Sequence, residues 1–178
     1  MMDGMTRLPL RLLLVLTLGL ALAACGGGPS ADESADALES MRSSVDDELR
    51  AMAGALTSSG LAVEQATGRV DEKGMSTRRA QDYLARAVLV GSGDEAGQVE
   101  QAAAALEDAG WTRKAAGLDA GEANPWVQLE RDDFRTTIGW TKVGTRELAL
   151  SLDRAGDVEV PDDAPVVDRD NAVEIPLD

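Results

Sequence analysis

The residue types that most enzymes use for chemistry are scarce in this chain of 178 residues. It contains no histidine, and Cys25 is its one cysteine. These counts exclude a Ser-His-Asp triad, a Cys-His pair and a metal site with His or Cys ligands. An intrachain disulfide is excluded as well, so packing alone must hold the fold. The candidate chemistry therefore rests on the Cys25 thiol, the carboxylates and the tryptophans.

The segment around Cys25 has the layout of an export signal. Arg7 and Arg11 precede an apolar stretch that runs from residue 12 to residue 24. A basic region, a short apolar region and small residues before a cleavage site are features of a secretory signal peptide. The run Leu22-Ala23-Ala24-Cys25 resembles the lipobox of bacterial lipoproteins, whose cysteine thiol receives a diacylglyceryl group before the signal peptide is cleaved. This resemblance implies that Cys25 is the lipid attachment site.

The length of the apolar stretch bears on the alternative of a plain membrane anchor. It has thirteen residues, Leu12 to Ala24, whereas a transmembrane helix needs about 20. A secretory signal with an incidental cysteine is the other alternative, but such cleavage sites favour small residues. Two acyl chains hold a protein stably on a bilayer. We therefore expect the bilayer to be a partner through the Cys25 acyl anchor, with the protein on the extracytoplasmic face of the cell membrane.

Composition divides the chain into four segments. Residues 1–24 are the predicted signal peptide, and residues 25–30 are the lipidated cysteine with a flexible, glycine-rich tether. Residues 31–154 form the predicted domain. Residues 155–178 carry eight acidic residues and one basic residue, and they predict an acidic, largely extended tail that packs little and is dispensable for folding. Short alternations at 158–160 and 173–175 are weak candidates for edge strands.

The formal net charge of the chain is −15. Such a charge opposes binding to nucleic acid and to anionic headgroups, and it favours solubility. We therefore predict a protein or an envelope component as partner, and no nucleic acid. The run Gly91-Ser92-Gly93 lacks the Gly-Lys-Ser/Thr of a phosphate loop, and two acidic residues follow it. No cofactor is predicted.

Two segments have the spacing of amphipathic helices. Ser30 and Glu33 have the spacing of a capping box before apolar residues that recur every three or four positions from Leu38 to Leu56. The run Ser92-Gly93-Asp94-Glu95 repeats the same S-x-x-E form before a second helix. Gly110 is placed to end that helix, and Trp111 is then expected to pack back on Leu106.

Five segments alternate as half-buried strands do: Leu61–Thr67, Ala80–Gly91, Trp126–Arg131, Phe134–Trp140 and Leu148–Leu152. Residues 69–79 are predicted to be a polar loop, and residues 115–125 a loose connection. The order α-β-β-α-β-β-β with short connections predicts an α+β two-layer sandwich, in which an antiparallel sheet carries both helices on one face. This order, and the helix end Glu107-Asp108-Ala109-Gly110-Trp111, resemble those of small uncharacterised actinobacterial lipoproteins.

Three kinds of residue are candidates for a site. Trp111 and Trp140 are predicted to be core residues, whereas Trp126, after Asn124-Pro125, is the tryptophan that an exposed stacking surface would use. Adjacent acids at 46–48, 132–133 and 162–163 raise the alternative of a glycan hydrolase, which needs two carboxylates about 5–10 Å apart across its substrate. Residues 168–171 place acids as a calcium loop does, but Val173 stands where that loop needs glycine.

The function that these observations predict is that of a membrane-anchored extracytoplasmic lipoprotein. Its domain is interpreted as a non-enzymatic binding or accessory domain for a protein or an envelope component, with no catalytic and no metal-binding residues assigned. Two alternatives stay open: a carboxylate-dependent hydrolase of cell-wall glycan, and an inhibitor or sensor domain that uses its sheet face. The sensor alternative would need an exposed apolar patch of several hundred Å².

Overall fold

A computed structural model describes residues 28–73, 79–119, 122–141, 144–168 and 170–177. Cys25, the lipobox Leu22-Ala23-Ala24-Cys25 and the predicted signal peptide lie outside the described residues. Within those residues, neither helix is both long and apolar enough to cross a membrane.

The first helix, α1 (Ala31–Ser58), begins with the predicted capping box. The Glu33 backbone N–H donates to the Ser30 hydroxyl over 3.2 Å, and the Ser30 backbone N–H donates to the Glu33 carboxylate over 2.9 Å. These bonds, first the one from the Ser30 backbone and then the one from its hydroxyl, hold the pKa of Glu33 below its ordinary value. Gly60, with φ of +93°, then reverses the chain, and Leu61 N–H donates to the Leu56 carbonyl.

The second helix, α2 (Glu95–Asp108), is capped by Asp94, not by Ser92. The Asp94 carboxylate accepts from the Gly97 backbone N–H over 2.7 Å, as the side chain of an N-cap residue does. The helix therefore begins two residues later than the S-x-x-E spacing predicts. The predicted end of the helix is confirmed: Gly110 has φ of +94°, and Trp111 N–H donates to the Leu106 carbonyl over 3.0 Å. The Trp111 and Leu106 side chains are both buried in the core.

Eight strands form one antiparallel sheet in the order β3-β4-β5-β6-β2-β1-β8, with β7 paired to β2. Their bounds are β1 (Ala62–Lys73), β2 (Ala80–Val90), β3 (Thr112–Gly117), β4 (Trp126–Arg131), β5 (Phe134–Trp140), β6 (Leu148–Arg154), β7 (Val158–Glu159) and β8 (Val173–Glu174). Helix α1 packs on β1, β2, β6 and β7, and α2 packs on β3 to β6. The predicted α+β class with an antiparallel sheet is confirmed.

The core lies between the helices and one face of the sheet. In β2, every second residue from Gln81 to Leu89 is buried, because successive side chains of a strand point to opposite faces. The same alternation buries Leu148, Leu150 and Leu152 of β6. The largest fully buried side chains on the helices are those of Val45, Leu49, Met52, Leu56, Val99 and Leu106.

All seven elements of the predicted order α-β-β-α-β-β-β are present, and the structure adds three strands to them, β3, β7 and β8, of which β3 is the longest. Residues 112–117 have no apolar alternation, and residues 115–117 were predicted to belong to a loose connection. The backbone of β3 nevertheless pairs with β4, with a bulge between Arg113 and Ala115. Arg113 holds the strand against α2 through ion pairs to Glu100 and Glu107, both at 2.9 Å. Strand β1 also continues through residues 69–73, which were predicted to be a loop.

The expectation that the tail packs little is also wrong. Val158, Val160 and Ile175 are buried, and the short strands β7 and β8 join the sheet. The Asn171 side chain accepts from Val70 N–H and donates to the Val70 carbonyl, both over 2.9 Å. The Arg79 guanidinium donates to three tail carbonyls at residues 162, 164 and 165. Backbone pairing and the burial of three apolar side chains therefore hold the tail on the sheet, while its acidic side chains stay at the surface.

Candidate functional site

The face of the sheet that lies opposite the helices, here called the open face, carries a row of polar side chains. Gln128 of β4 pairs with Thr137 of β5, Thr137 pairs with Ser151 of β6, and Ser151 pairs with Arg86 of β2. All four alternate with buried residues in their strands, so their side chains point away from the helices. Directly opposed residues have Cβ atoms about 4.5–5.5 Å apart, so the four side chains form a continuous line across the sheet.

A groove of about 340 Å³ runs beside this line and is here called the Trp126 groove. Its lining residues are Arg86, Asn124, Trp126, Thr137, Gly139, Trp140, Thr141, Ala149 and Ser151. Sites for small molecules occupy roughly 300–1,000 Å³ and combine aromatic side chains with a few polar groups. The groove falls at the lower end of that range, and its lining has both kinds of side chain.

Two glycines create the place in which Trp126 lies. Gly117 and Gly139 are the neighbours of Trp126 in the two adjacent strands. A β-carbon on Gly117 would lie 2.4 Å from Nε1 of Trp126 and 2.9 Å from its Cδ1, and one on Gly139 would lie 2.9 Å from its Cβ. No other residue type fits at these distances without displacing the indole. The half-buried indole therefore rests on bare backbone on one side and lines the groove with the rest of its surface.

Several polar groups in the groove and on the line beside it have unused hydrogen-bonding capacity. Among the described residues, the side chains of Gln128, Thr137 and Ser151 make no hydrogen bond. Arg86 differs, because its guanidinium donates to the Glu147 carboxylate over 3.1 Å. Each hydroxyl can donate one hydrogen bond and accept two, and the amide can do both. The line can therefore bind a ligand whose groups both donate and accept.

Arg146 fixes one end of the groove. Its guanidinium pairs with the Glu95 carboxylate, donates to Asn124 Oδ1 over 3.1 Å and lies 5.6 Å from the Trp140 ring centroid. The Trp140 Nε1–H donates to the Glu95 carbonyl over 3.2 Å. The hydrogen bond between the two side chains lowers the pKa of Glu95 and raises that of Arg146. The loops before β4 and β6 are thereby joined to the first turn of α2.

Of the other two tryptophans, Trp111 is a core residue, as the sequence predicts, whereas Trp140 packs only partly against the core and also lines the Trp126 groove. Trp111 is 4% exposed, and the Arg131 guanidinium lies 5.1 Å from its ring centroid. Its Nε1–H is buried without a hydrogen-bond partner among the described residues. Trp140 is half-buried in phase with the fully buried Ile138.

The adjacent acids do not form pairs that face one another. Asp46 accepts from the Tyr83 hydroxyl over 2.9 Å, Asp47 pairs with Arg50, and Glu48 pairs with Arg131. Asp162 and Asp163 are exposed in a turn.

A second cavity, of about 480 Å³, brings several acids together at the end of the sheet where β5 starts and β6 ends. It is lined by Asp133, Asp153 and Asp157 among others. Each of these three is in an ion pair: Asp133 with Arg154, Asp153 with Arg135 and Asp157 with Lys73. Asp132 also lines this cavity; it is exposed and has no ion pair among the described residues, so the cavity holds one unpaired carboxylate beside carboxylates that are paired with cations.

The residues that resemble a calcium loop make hydrogen bonds within the tail and to β1. Asp170 N–H donates to the Asp168 carboxylate over 3.0 Å, while the Asn171 side chain is used on the Val70 backbone. In the described part of the chain, no group of three His, Cys, Asp or Glu side chains is placed to hold a metal ion.

The groove lies at the end of the domain that is remote from the start of α1. The Ser34 hydroxyl, near the start of α1, donates to the Glu159 carbonyl of β7. The last turn of α1 is next to the start of β1, which pairs with the end of β2 at Val90. The strand ends that flank the groove, at Trp126 and Trp140, lie at this second end. Since α1 has 28 residues, the two ends are about 42 Å apart along the helix.

Sequence reasoning singled out Trp126 but missed its surroundings. Thr137, Ser151 and the glycines 117 and 139 are ordinary residues in the sequence, and only the strand register brings them together. The chain matches no protein-family model, and the searches found no similar curated protein and no similar solved structure. The functional argument therefore rests on the groove itself.

Proposed function

We propose that the protein is a lipoprotein, held on the extracytoplasmic face of the cell membrane by a diacylglyceryl group on Cys25, and that its domain is a non-enzymatic binding module. The run Leu22-Ala23-Ala24-Cys25 and the basic and apolar residues before it support the anchor. The open face, with the Trp126 groove, is the binding surface in this proposal, and an envelope component is its ligand.

The position of the groove is the observation that carries the proposal. A tether of six residues, 25–30, spans at most about 20 Å, whereas α1 is about 42 Å long and ends on the side of the domain where the strand ends at Trp126 and Trp140 flank the groove. An anchor at Cys25 holds the start of α1 near the bilayer. The groove is then directed away from the membrane, toward the envelope.

The composition of the open face favours a polar envelope component over a protein partner. The exposed large apolar residues in the described part of the chain are Val90, Val166 and Val173, and none of them lines the groove. Protein interfaces have an apolar core, and extended apolar patches mark such surfaces. The line of Gln128, Thr137, Ser151 and Arg86 is polar instead, which suits a polar ligand.

Lipid attachment is tested by metabolic labelling with a fatty-acid probe in cells that make the wild-type chain or Cys25→Ala. We expect labelled wild-type protein in the membrane fraction and no label on Cys25→Ala, since the thiol is the atom that takes the lipid. Label retained on the variant would refute the anchor.

The binding surface is tested with a photo-crosslinking amino acid in the anchored protein. It is placed at Gln128 on the open face or, as the matched control, at Ala51 on the exposed side of α1. We expect adducts with envelope material from position 128 and none from position 51. Adducts from position 51 alone would show that the helix side is the binding surface, and the proposal would fail.

A further inference from the structure

We propose that the ligand of the Trp126 groove is an uncharged carbohydrate, bound with one sugar ring against the Trp126 indole and its hydroxyl groups on the polar line. This inference rests on the proposed function in one respect, which is that the open face is the binding surface. It adds the chemical class of the ligand, and the argument has four steps.

The first step is the indole. A pyranose ring has faces of C–H bonds and a rim of hydroxyl groups, so it needs an apolar surface beside polar groups. Trp126 supplies such a surface, because the backbone at Gly117 supports one side of the indole and the rest of it lines the groove. The indole is held in place before a ligand arrives, which lowers the entropic cost of binding.

The second step is the polar line. A sugar hydroxyl donates and accepts hydrogen bonds at the same time, so its best partners do both. The Thr137 and Ser151 hydroxyls and the Gln128 amide do both, and they make no other hydrogen bond among the described residues. Their spacing of about 5 Å from strand to strand matches a row of ring substituents more closely than it matches one compact ion.

The third step is charge. Both guanidinium groups at the groove are occupied, Arg86 by Glu147 and Arg146 by Glu95. No unpaired cation in the described residues of the groove is left to bind a phosphate or a carboxylate. The net charge of −15 also repels an anionic polymer. The ligand is therefore uncharged.

The fourth step concerns an extended peptide, which is the rival ligand. One common way for an extended peptide to bind to a sheet is to add a strand at a free edge. The groove lies across β4, β5, β6 and β2, and each of these strands is already paired on both sides. A peptide therefore finds no free backbone edge in the groove.

The experiment measures binding by isothermal titration calorimetry on the full anchored chain, solubilised in a non-ionic detergent that contains no sugar. The probes are chitohexaose, maltohexaose and mannohexaose, with hexagalacturonate as the anionic comparison. We expect saturable binding of at least one neutral hexasaccharide and at least tenfold weaker binding of hexagalacturonate. An equal or higher affinity for hexagalacturonate would overturn the assignment to an uncharged ligand.

Four variants locate the binding. We expect Trp126→Ala to lower the affinity at least tenfold. Ser151→Lys is expected to abolish binding, because the longer side chain introduced at position 151 fills the groove. Gly117→Ala, which displaces the indole without removing it, is expected to lower the affinity as well. The matched control is Thr112→Lys, an exposed position at the other end of the open face, which is expected to bind as the wild type does. Thermal denaturation of each variant establishes that it is folded.

Two further results would overturn the inference. If none of the neutral hexasaccharides binds while position 128 still forms crosslinks, the open face is the binding surface but its ligand is not a carbohydrate. If a hexasaccharide binds equally well to wild type and to a folded Trp126→Ala variant, the sugar binds elsewhere on the chain. Adducts from position 51 alone remain the separate result that refutes the proposed function.

Discussion

The hydrogen bond between Tyr83 and Asp46 joins the sheet to α1 and yields a prediction whose size follows from the structure. The Tyr83 hydroxyl donates to the Asp46 carboxylate over 2.9 Å, and both residues are buried. Arg42 is the other neighbour of this carboxylate, at 3.8 Å. Gly68 gives the ring its room, because a β-carbon there would lie 1.6 Å from the tyrosine oxygen.

Replacing Tyr83 by Phe removes the hydroxyl and keeps the ring. A hydrogen bond to a charged group contributes about 1.5–3 kcal/mol, and its loss leaves a buried carboxylate short of a donor. At roughly 2–4 °C per kcal/mol for a chain of this size, we expect the melting temperature to fall by about 3–12 °C. Differential scanning calorimetry at neutral pH measures it.

A double-mutant cycle with Asp46→Asn separates the bond from other effects of each substitution. The coupling energy between the two sites is expected to be at least about 1 kcal/mol. A Tyr83→Phe variant that melts within about 2 °C of the wild type, or a coupling energy near zero, would refute the argument that this bond stabilises the fold.

The same bond predicts a dependence on alkaline pH. Burial, and then the hydrogen bond to Asp46, raises the pKa of Tyr83 well above its ordinary value of 10.0. The folded state therefore binds the phenolic proton more tightly than the unfolded state does. This contribution to stability is complete below about pH 10, where the phenol of the unfolded chain is protonated, and is lost as the pH rises toward the folded pKa. We expect Tyr83→Phe to have a shallower loss of stability above pH 10 than the wild type; equal slopes would contradict the raised pKa.

Two further predictions concern the core and the tail. We expect Trp111→Ala to lower the free energy of unfolding, measured in urea, by about 3–5 kcal/mol. Trp111→Phe should lower it clearly less, because the Nε1–H that it removes has no hydrogen-bond partner among the described residues. Equal losses for the two variants would show that the N–H is bonded. Truncation after Asp157 removes the buried side chains of Val158, Val160 and Ile175, so we expect the melting temperature to fall by more than about 5 °C. An unchanged melting temperature would restore the expectation from the sequence that the tail is dispensable.

The parts of the fold that the sequence predicts are those whose signals are local. The Ser30 capping box, the glycine at 110 and the alternation in β2 each depend on residues close together in the chain. Strand β3 has no such signal, because distant partners determine it: the backbone of β4 and the acids of α2 that pair with Arg113. The sequence predicts an unpacked tail because the tail has eight acidic residues, whereas the burial of Val158, Val160 and Ile175 decides its position.

The candidate site could be predicted in one residue only. Trp126 follows Asn124-Pro125, which indicates a strand start near the surface. Most of the remaining lining residues are Thr, Ser, Gly and Ala, whose roles depend on the register of four strands that are not all neighbours in sequence. A shift of one residue in any pairing would turn these side chains to the helix side, so no local pattern identifies them.

The path of the tail along β1 has a consequence for contacts between copies of the chain. Ile175, the two residues of β8 and the Asn171 amide occupy the backbone edge of β1 from Ala66 to Val70. A long bare strand edge would let one sheet continue into the next, and under the proposed membrane anchor such encounters between neighbouring molecules would be frequent. The acidic tail thus covers the edge strand β1. Removing the tail would expose a strand edge through which the sheets of neighbouring molecules can pair.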